Sequence, residues 1–68
     1  MSPFNYALMQ HYEAMDKVAS EFAERVHAGE DINNRAVLNS IIHKYGLDHD
    51  GFSVDYQYII KEAKAHLW

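Results

Sequence analysis

One amphipathic segment dominates this chain. Residues 1–28 contain no helix breaker after Pro3 and make up about two fifths of the 68 residues. A helix from Pro3 to His27 would be roughly 37 Å long, and each later apolar segment could cover only about half of that length. Its apolar residues recur every three or four positions, as in a near-heptad stripe: Phe4, Leu8, Tyr12, Met15, Ala19, Phe22 and Val26. We therefore expect part of its apolar surface to be left for a partner.

The composition narrows the class of protein. Ten acidic against six basic residues give a net charge of −4, which disfavours a general nucleic-acid binder, because phosphate contacts depend on clustered Lys and Arg. Apolar residues make up 49% of the chain, too many for a disordered tail. There is no cysteine, and neither a signal peptide nor a membrane-spanning stretch is recognisable. We expect a cytoplasmic protein without membrane contact.

Capping residues predict where the first two helices begin and end. Ser2-Pro3 is typical of a helix start, and Gly29 suits a left-handed helix end. The second helix is predicted over residues 32–45, with Asp31 as its N-cap and Gly46 as its terminator.

The last segment has two interpretations. Apolar and polar residues alternate over residues 52–58, which is the period of a half-buried strand. A lone strand has no partner in this chain, however, and helical spacing returns afterwards. We favour a third helix that Ser53 caps and that runs through His66, while residues 54–60 leave a strand open. The expected fold is all-α: one domain over residues 1–68, in which two shorter helices pack against a long N-terminal helix.

The residues form no recognisable catalytic or metal-binding pattern. No two of the five histidines are separated by three or four residues, the usual spacing of zinc ligands on a helix, so we expect solvated or interfacial histidines. Residues 48–51 resemble part of a calcium loop, but in that register the first and last ligand positions are Gly46 and Gln57. The serines lie in ordinary helical or capping positions. We expect no enzymatic activity, no cofactor and no metal.

Candidate contact residues lie on the first two helices. Tyr6, Met9 and Val18 lie off the main stripe, where they mark either a contact surface or a broader core face. The full set of candidate partner-binding residues is Tyr6, Met9, Tyr12, Met15, Val18, Phe22, Ile41 and Tyr45. We predict a small, non-enzymatic regulatory protein that binds a protein partner through its first helix.

Two alternative functions remain open. The near-heptad stripe of the first helix could pair with its own copy, giving a homodimer or a higher oligomer. A helix-turn-helix-like DNA-binding module is the second alternative. Its turn would span residues 46–52, whereas the standard motif uses three or four residues.

From Val18 onward the chain resembles a known family over about 50 residues. The matching residues are Val18-Ala19-Ser20, Glu30-Asp31-Ile32, Asn34-Arg35-Ala36, Gly46, His49, Gly51 and Lys61. They are similar in identity and separation to the AsiA family, the small anti-sigma factors of T-even phages. The resemblance implies an all-helical fold and binding to the promoter-recognising C-terminal region of the host's primary sigma factor. It also implies that the N-terminal helix is the contact surface, with Val18, Ile41 and Tyr45 at apolar positions of the family.

Overall fold

The computed structural model describes residues 2–67, so Met1 and Trp68 lie outside the described residues. Residues 2–67 form three α-helices, α1 (Pro3–His27), α2 (Arg35–Lys44) and α3 (Tyr56–Leu67), with a short 3₁₀ helix (Leu47–His49) between α2 and α3. Residues 2–67 contain no strand, and the long α1 packs against the two shorter helices. This confirms the predicted all-α fold. None of the three helices has both the length and the apolar character needed to cross a bilayer.

α1 begins and ends where its capping residues predict. The Ser2 side-chain oxygen accepts a hydrogen bond from the Asn5 amide at 3.1 Å, and Pro3 occupies the first helical position. After the helix, Gly29 adopts a φ of 118°, and its amide donates to the Val26 carbonyl at 3.0 Å. Local capping chemistry therefore sets both ends of α1.

α2 begins later than predicted. The sequence predicts a start at Ile32 with Asp31 as the cap, but the cap is Asn34, whose Oδ1 accepts a hydrogen bond from the Val37 amide at 3.2 Å. Asp31 Oδ1 instead accepts from the Asn33 amide at 2.8 Å. The Asn34 amide also donates to the Asp31 carbonyl at 2.9 Å, so residues 31–34 form a turn, and the extended backbone of Asn34 (φ −76°, ψ 91°) separates that turn from the helix.

The last segment of the chain forms a helix, α3, and not a strand. Its first residue is Tyr56, whereas the sequence predicts Ser53 as the cap. Asp55 takes that role, because its Oδ1 accepts a hydrogen bond from the Tyr58 amide at 3.0 Å. The connection from α2 to α3 spans residues 45–55, which is much longer than the turn of a helix-turn-helix motif.

The apolar core surrounds the C-terminal half of α1. Its buried members are Met15, Val18, Ala19, Phe22, Ala23, Leu38, Ile41, Ile42, Leu47, Ile59 and Ala63. Each large side chain buried in this way contributes about 1.5–3 kcal/mol. Because the apolar core begins at Met15, the first turns of α1 are packed only on the side that faces the connection before α3. The molecule accordingly measures 41 Å along its longest axis and 22 and 16 Å across.

Candidate partner-binding face

The first turns of α1 carry a cluster of exposed apolar side chains. Within residues 2–67, the large hydrophobic residues that stay exposed are Phe4 (63%), Tyr6 (56%), Met9 (42%) and Tyr12 (45%). We call these four residues the N-terminal face. Single exposed apolar residues are common on proteins, whereas large contiguous apolar patches are typical of interaction surfaces.

The N-terminal face lies on an uncharged stretch of helix. Residues 3–12 contain no Asp, Glu, Lys or Arg, and His11, the histidine in this stretch, is buried. The first carboxylates along α1 are those of Glu13 and Asp16, both exposed. Glu13 follows Met9 by four residues, so it lies beside the face on the same side of the helix. The face is therefore apolar with an acidic border.

Two side chains of the N-terminal face contact aromatic residues elsewhere in the chain. The ring of Phe4 packs against Phe52 with centroids 5.8 Å apart, and Tyr12 meets Tyr58 edge-on at 5.6 Å. Offset and edge-on ring pairs of this kind are favourable. These contacts fix the orientation of both side chains while leaving about half of each exposed.

The other two residues of the face point away from the core. Tyr6 and Met9 are three residues apart and therefore share one side of α1. With 3.6 residues per turn, that side lies roughly opposite the stripe of Met15 and Phe22. Their exposure is consequently a result of helix geometry, and no rearrangement is needed for a partner to reach them.

His11 holds this part of α1 against the connection before α3. The side chain is 5% exposed, its Nδ1 lies 2.5 Å from Asp50 Oδ2, and its ring packs on Phe52 with centroids 5.1 Å apart. The prediction of a solvated or interfacial histidine is wrong at this position. The sequence spacing could have predicted that His11 is buried. His11 follows Leu8 by three residues and precedes Met15 by four, as a core residue of α1 would.

The eight predicted contact residues occupy different environments. Tyr6, Met9 and Tyr12 belong to the exposed face. Four others are core residues with 0–1% exposure: Met15, Val18, Phe22 and Ile41. Tyr45 is half-buried, and its hydroxyl donates to Glu21 Oε1 at 2.8 Å. Within the folded protein a partner can reach Tyr6, Met9 and Tyr12 directly, while the role of the other five residues in binding stays a prediction.

Glu21 joins α1 to α2 away from the N-terminal face. Its Oε1 accepts hydrogen bonds from Lys44 Nζ and from the Tyr45 hydroxyl, each at 2.8 Å. The bond from Lys44, followed by that from Tyr45, holds the pKa of Glu21 below its ordinary value. The same carboxylate raises the pKa of the Tyr45 hydroxyl, which donates to it. α2 is thus tied to the half of α1 that forms the core.

An open cleft of about 420 Å³ flanks the N-terminal face. Leu8, His11, Tyr12 and Met15 line one wall, and residues 52–57 line the other. The face itself is convex, as the surface of a helix must be. The cleft adds a concave surface at its edge that can accept an apolar side chain of a partner.

A second cluster lies where α2 ends. His43, Asp48 and His49 are exposed, and each places one potential metal-ligand atom within 4.8 Å of the other two. Asp48 Oδ2 lies 2.9 Å from His43 Nδ1 and 3.6 Å from His49 Nε2. A search for histidines three or four residues apart on one helix misses this cluster, because the turn after α2 brings its residues together.

No family model, curated protein or solved structure matches this chain. The resemblance to the AsiA family therefore stays a prediction. Two positions that it assigns to apolar sites of the family, Val18 and Ile41, lie in the core of this protein. The function of this protein is therefore inferred from the geometry of its surface.

Proposed function

We propose that this protein is a non-enzymatic regulatory protein that binds a protein partner through the N-terminal face. The concentration of Phe4, Tyr6, Met9 and Tyr12 within about three turns of one helix supports this function best. Aromatic and methionine side chains are enriched at protein interfaces, and aromatic anchors supply much of the binding energy. Tyr6 and Met9, which share one side of α1, suit the mode in which an amphipathic helix enters an apolar groove.

The N-terminal face is already ordered for binding. Ser2 caps the helix, and the contact of His11 with Asp50 holds its third turn against the connection before α3. A partner therefore does not have to supply the free energy of folding this helix, which lowers the cost of association. Each large side chain that the partner buries fully contributes about 1.5–3 kcal/mol before that cost is subtracted.

The acidic border of the face favours a basic partner. Glu13 and Asp16 complement a groove that is flanked by Lys or Arg, and such complementarity speeds association and selects the partner. Protein regions that bind DNA carry basic residues because they contact phosphates. The promoter-recognising C-terminal region of a host primary sigma factor, which the AsiA resemblance implies, meets this requirement. We therefore propose regulation of transcription, of the phage anti-sigma type, with that region as the partner.

The test compares variants of the face with a matched control. Tyr6→Glu and Met9→Glu each place one carboxylate at an exposed position, and Ala65→Glu adds the same charge at an exposed position of α3. Calorimetry measures affinity for the purified C-terminal region of the sigma factor, and circular dichroism checks helicity. We expect both face variants to weaken binding by about thirtyfold or more, the effect of losing an anchor of about 2 kcal/mol. Ala65→Glu should bind as the wild type does.

Other outcomes would overturn parts of the proposal. Equal affinity of the wild type and both face variants would remove the N-terminal face from the contact surface. A wild-type protein that does not bind the sigma region would exclude that partner. A dimer that forms with rising concentration in light scattering, and that Tyr6→Glu dissociates, would assign the face to a second copy of this chain. Salt-sensitive retention on duplex DNA would support the DNA-binding alternative instead.

A further inference from the structure

The cluster of His43, Asp48 and His49 lies outside the N-terminal face and has no part in the binding function proposed above. We propose that these three side chains bind one divalent transition-metal ion, with Zn²⁺ as the ion that suits them. Two imidazole nitrogens and one carboxylate oxygen converge there from the end of α2 and from the 3₁₀ helix.

The ligand types select the class of metal. Imidazole nitrogen suits zinc, copper and nickel, whereas calcium and magnesium take oxygen ligands. Zinc sites that keep an open coordination position use three protein ligands, and water fills the remaining position. Two histidines and one aspartate supply such a set.

The distances agree with a small coordination sphere. Zinc binds histidine nitrogen and carboxylate oxygen at about 2.0–2.2 Å, so neighbouring ligand atoms of a tetrahedral site lie about 3.3 Å apart. Asp48 Oδ2 lies 2.9 Å from His43 Nδ1, with which it shares a hydrogen bond, and 3.6 Å from His49 Nε2, and all three ligand atoms lie within 4.8 Å of one another. The side chains of His43 and His49 are 71% and 73% exposed, which leaves both rings free to rotate onto an ion.

The backbone keeps the ligands together. Leu47 is fully buried in the core, and Gly46 adopts a φ of 75° where the chain turns after α2. The His49 amide donates to the Gly46 carbonyl at 3.1 Å, which closes the 3₁₀ helix. Asp48 and His49 are therefore held on a short, anchored turn beside the last residues of α2.

The local charges favour a cation. The C-terminal end of a helix carries partial negative charge, and His43 lies in the last turn of α2. The neighbouring positive charge of Lys44 is paired with Glu21 at 2.8 Å.

Zinc titration of the 68-residue chain without a histidine tag tests the site. Calorimetry should show one ion bound per chain. His49→Ala should weaken the affinity for zinc by about tenfold or more. Removal of a group that only hydrogen-bonds a metal ligand already has an effect of that size, and His49 is itself a proposed ligand. His27→Ala removes an exposed histidine outside the cluster and should leave binding unchanged. Circular dichroism verifies that both variants keep their helices.

Two further readouts separate a built site from adventitious binding. Co²⁺ should give the visible absorption of a low-coordinate site with the wild type and lose it with His49→Ala. Zinc should raise the Tm of the wild type and of His27→Ala, because it binds the folded state, and should have less effect on His49→Ala. The absence of zinc binding by the wild type, or equal binding by His49→Ala, would overturn the proposal.

Discussion

His11 is a polar residue built into an apolar stripe. Its side chain is almost completely buried, with Asp50 on its Nδ1 and Phe52 against its ring. Loss of Asp50 would leave His11 without this hydrogen bond and shielded from water, whereas Asp50 itself is exposed. Asp50 also accepts a hydrogen bond from the Phe52 amide at 3.0 Å, so it orders the turn that supplies both contacts.

We predict that Asp50→Ala lowers the free energy of unfolding by about 1–3 kcal/mol, because His11 is left unpaired. Asp50→Asn should lower it less, since the amide keeps an acceptor oxygen for His11 or for the Phe52 amide. Urea unfolding followed by circular dichroism measures both variants. If Asp50→Ala stays within about 0.5 kcal/mol of the wild type, as most surface substitutions do, the pair contributes little to stability.

The hydrogen bond of Tyr58 leads us to predict that the protein loses stability at alkaline pH. Its hydroxyl donates to Asp16 Oδ1 at 2.9 Å, and this bond, with partial burial, raises the pKa of Tyr58 from 10.0 to about 12. A pKa raised by folding stabilises the protein below the unfolded value, and this contribution is lost as the pH rises from 10.0 towards about 12.

The measurement is an ultraviolet titration of tyrosinate for the wild type and for Tyr58→Phe. We expect a late-titrating group in the wild type, in addition to Tyr45, whose pKa is also raised, and this group is missing from the variant. The variant should also lose less stability than the wild type between pH 10.0 and about 12. Identical late titration of both proteins would show that the contact with Asp16 does not protect Tyr58.

At the scale of the helix, local chemistry explains which boundaries the sequence could predict. The ends of α1 and the end of α2 follow from Ser2, Pro3, Gly29 and Gly46, which act within one turn of the backbone. The start of α2 could not be chosen on the same basis. Asp31 and Asn34 are both good N-caps, and only the structure shows that Asp31 closes a turn instead.

We predict that Asn34→Ala lowers the free energy of unfolding by about 1 kcal/mol, the usual cost of losing an N-cap. Asn34→Asp should retain most of that stability, because its carboxylate can also accept from the Val37 amide. Asp31→Ala should cost less than Asn34→Ala, since Asp31 bonds a turn outside the helix. Denaturant unfolding of the three variants tests the order, and a larger loss for Asp31→Ala would place the start of α2 earlier.

At the scale of the whole molecule, the lengths of the three helices predict that part of α1 is left uncovered. A helix of 25 residues cannot be covered by helices of 10 and 12 residues, and the exposed cluster confirms this expectation. The sequence did not show which part would be uncovered, because the apolar stripe runs from Phe4 to Val26 without a break. The prediction that Val18 lies on a contact surface rested on its position off that stripe, whereas the structure buries it in the core.

The division of α1 into an exposed part and a part that belongs to the core determines which substitutions can report on binding. A carboxylate in place of Val18 would be buried without a partner, so Val18→Asp would unfold the chain and give no information about a contact surface. Tyr6 and Met9 are exposed, so substitutions there change the surface while keeping the core. Binding through the N-terminal face is thus separable from folding.

Site-specific photo-crosslinking to the purified C-terminal region of the sigma factor tests this binding most directly. A photoreactive side chain replaces Tyr6 in one protein and Ala65 in a control, both at exposed positions. We predict a cross-linked complex from position 6 and none from position 65. A complex that cross-links from position 65 and not from position 6 would contradict binding through the N-terminal face.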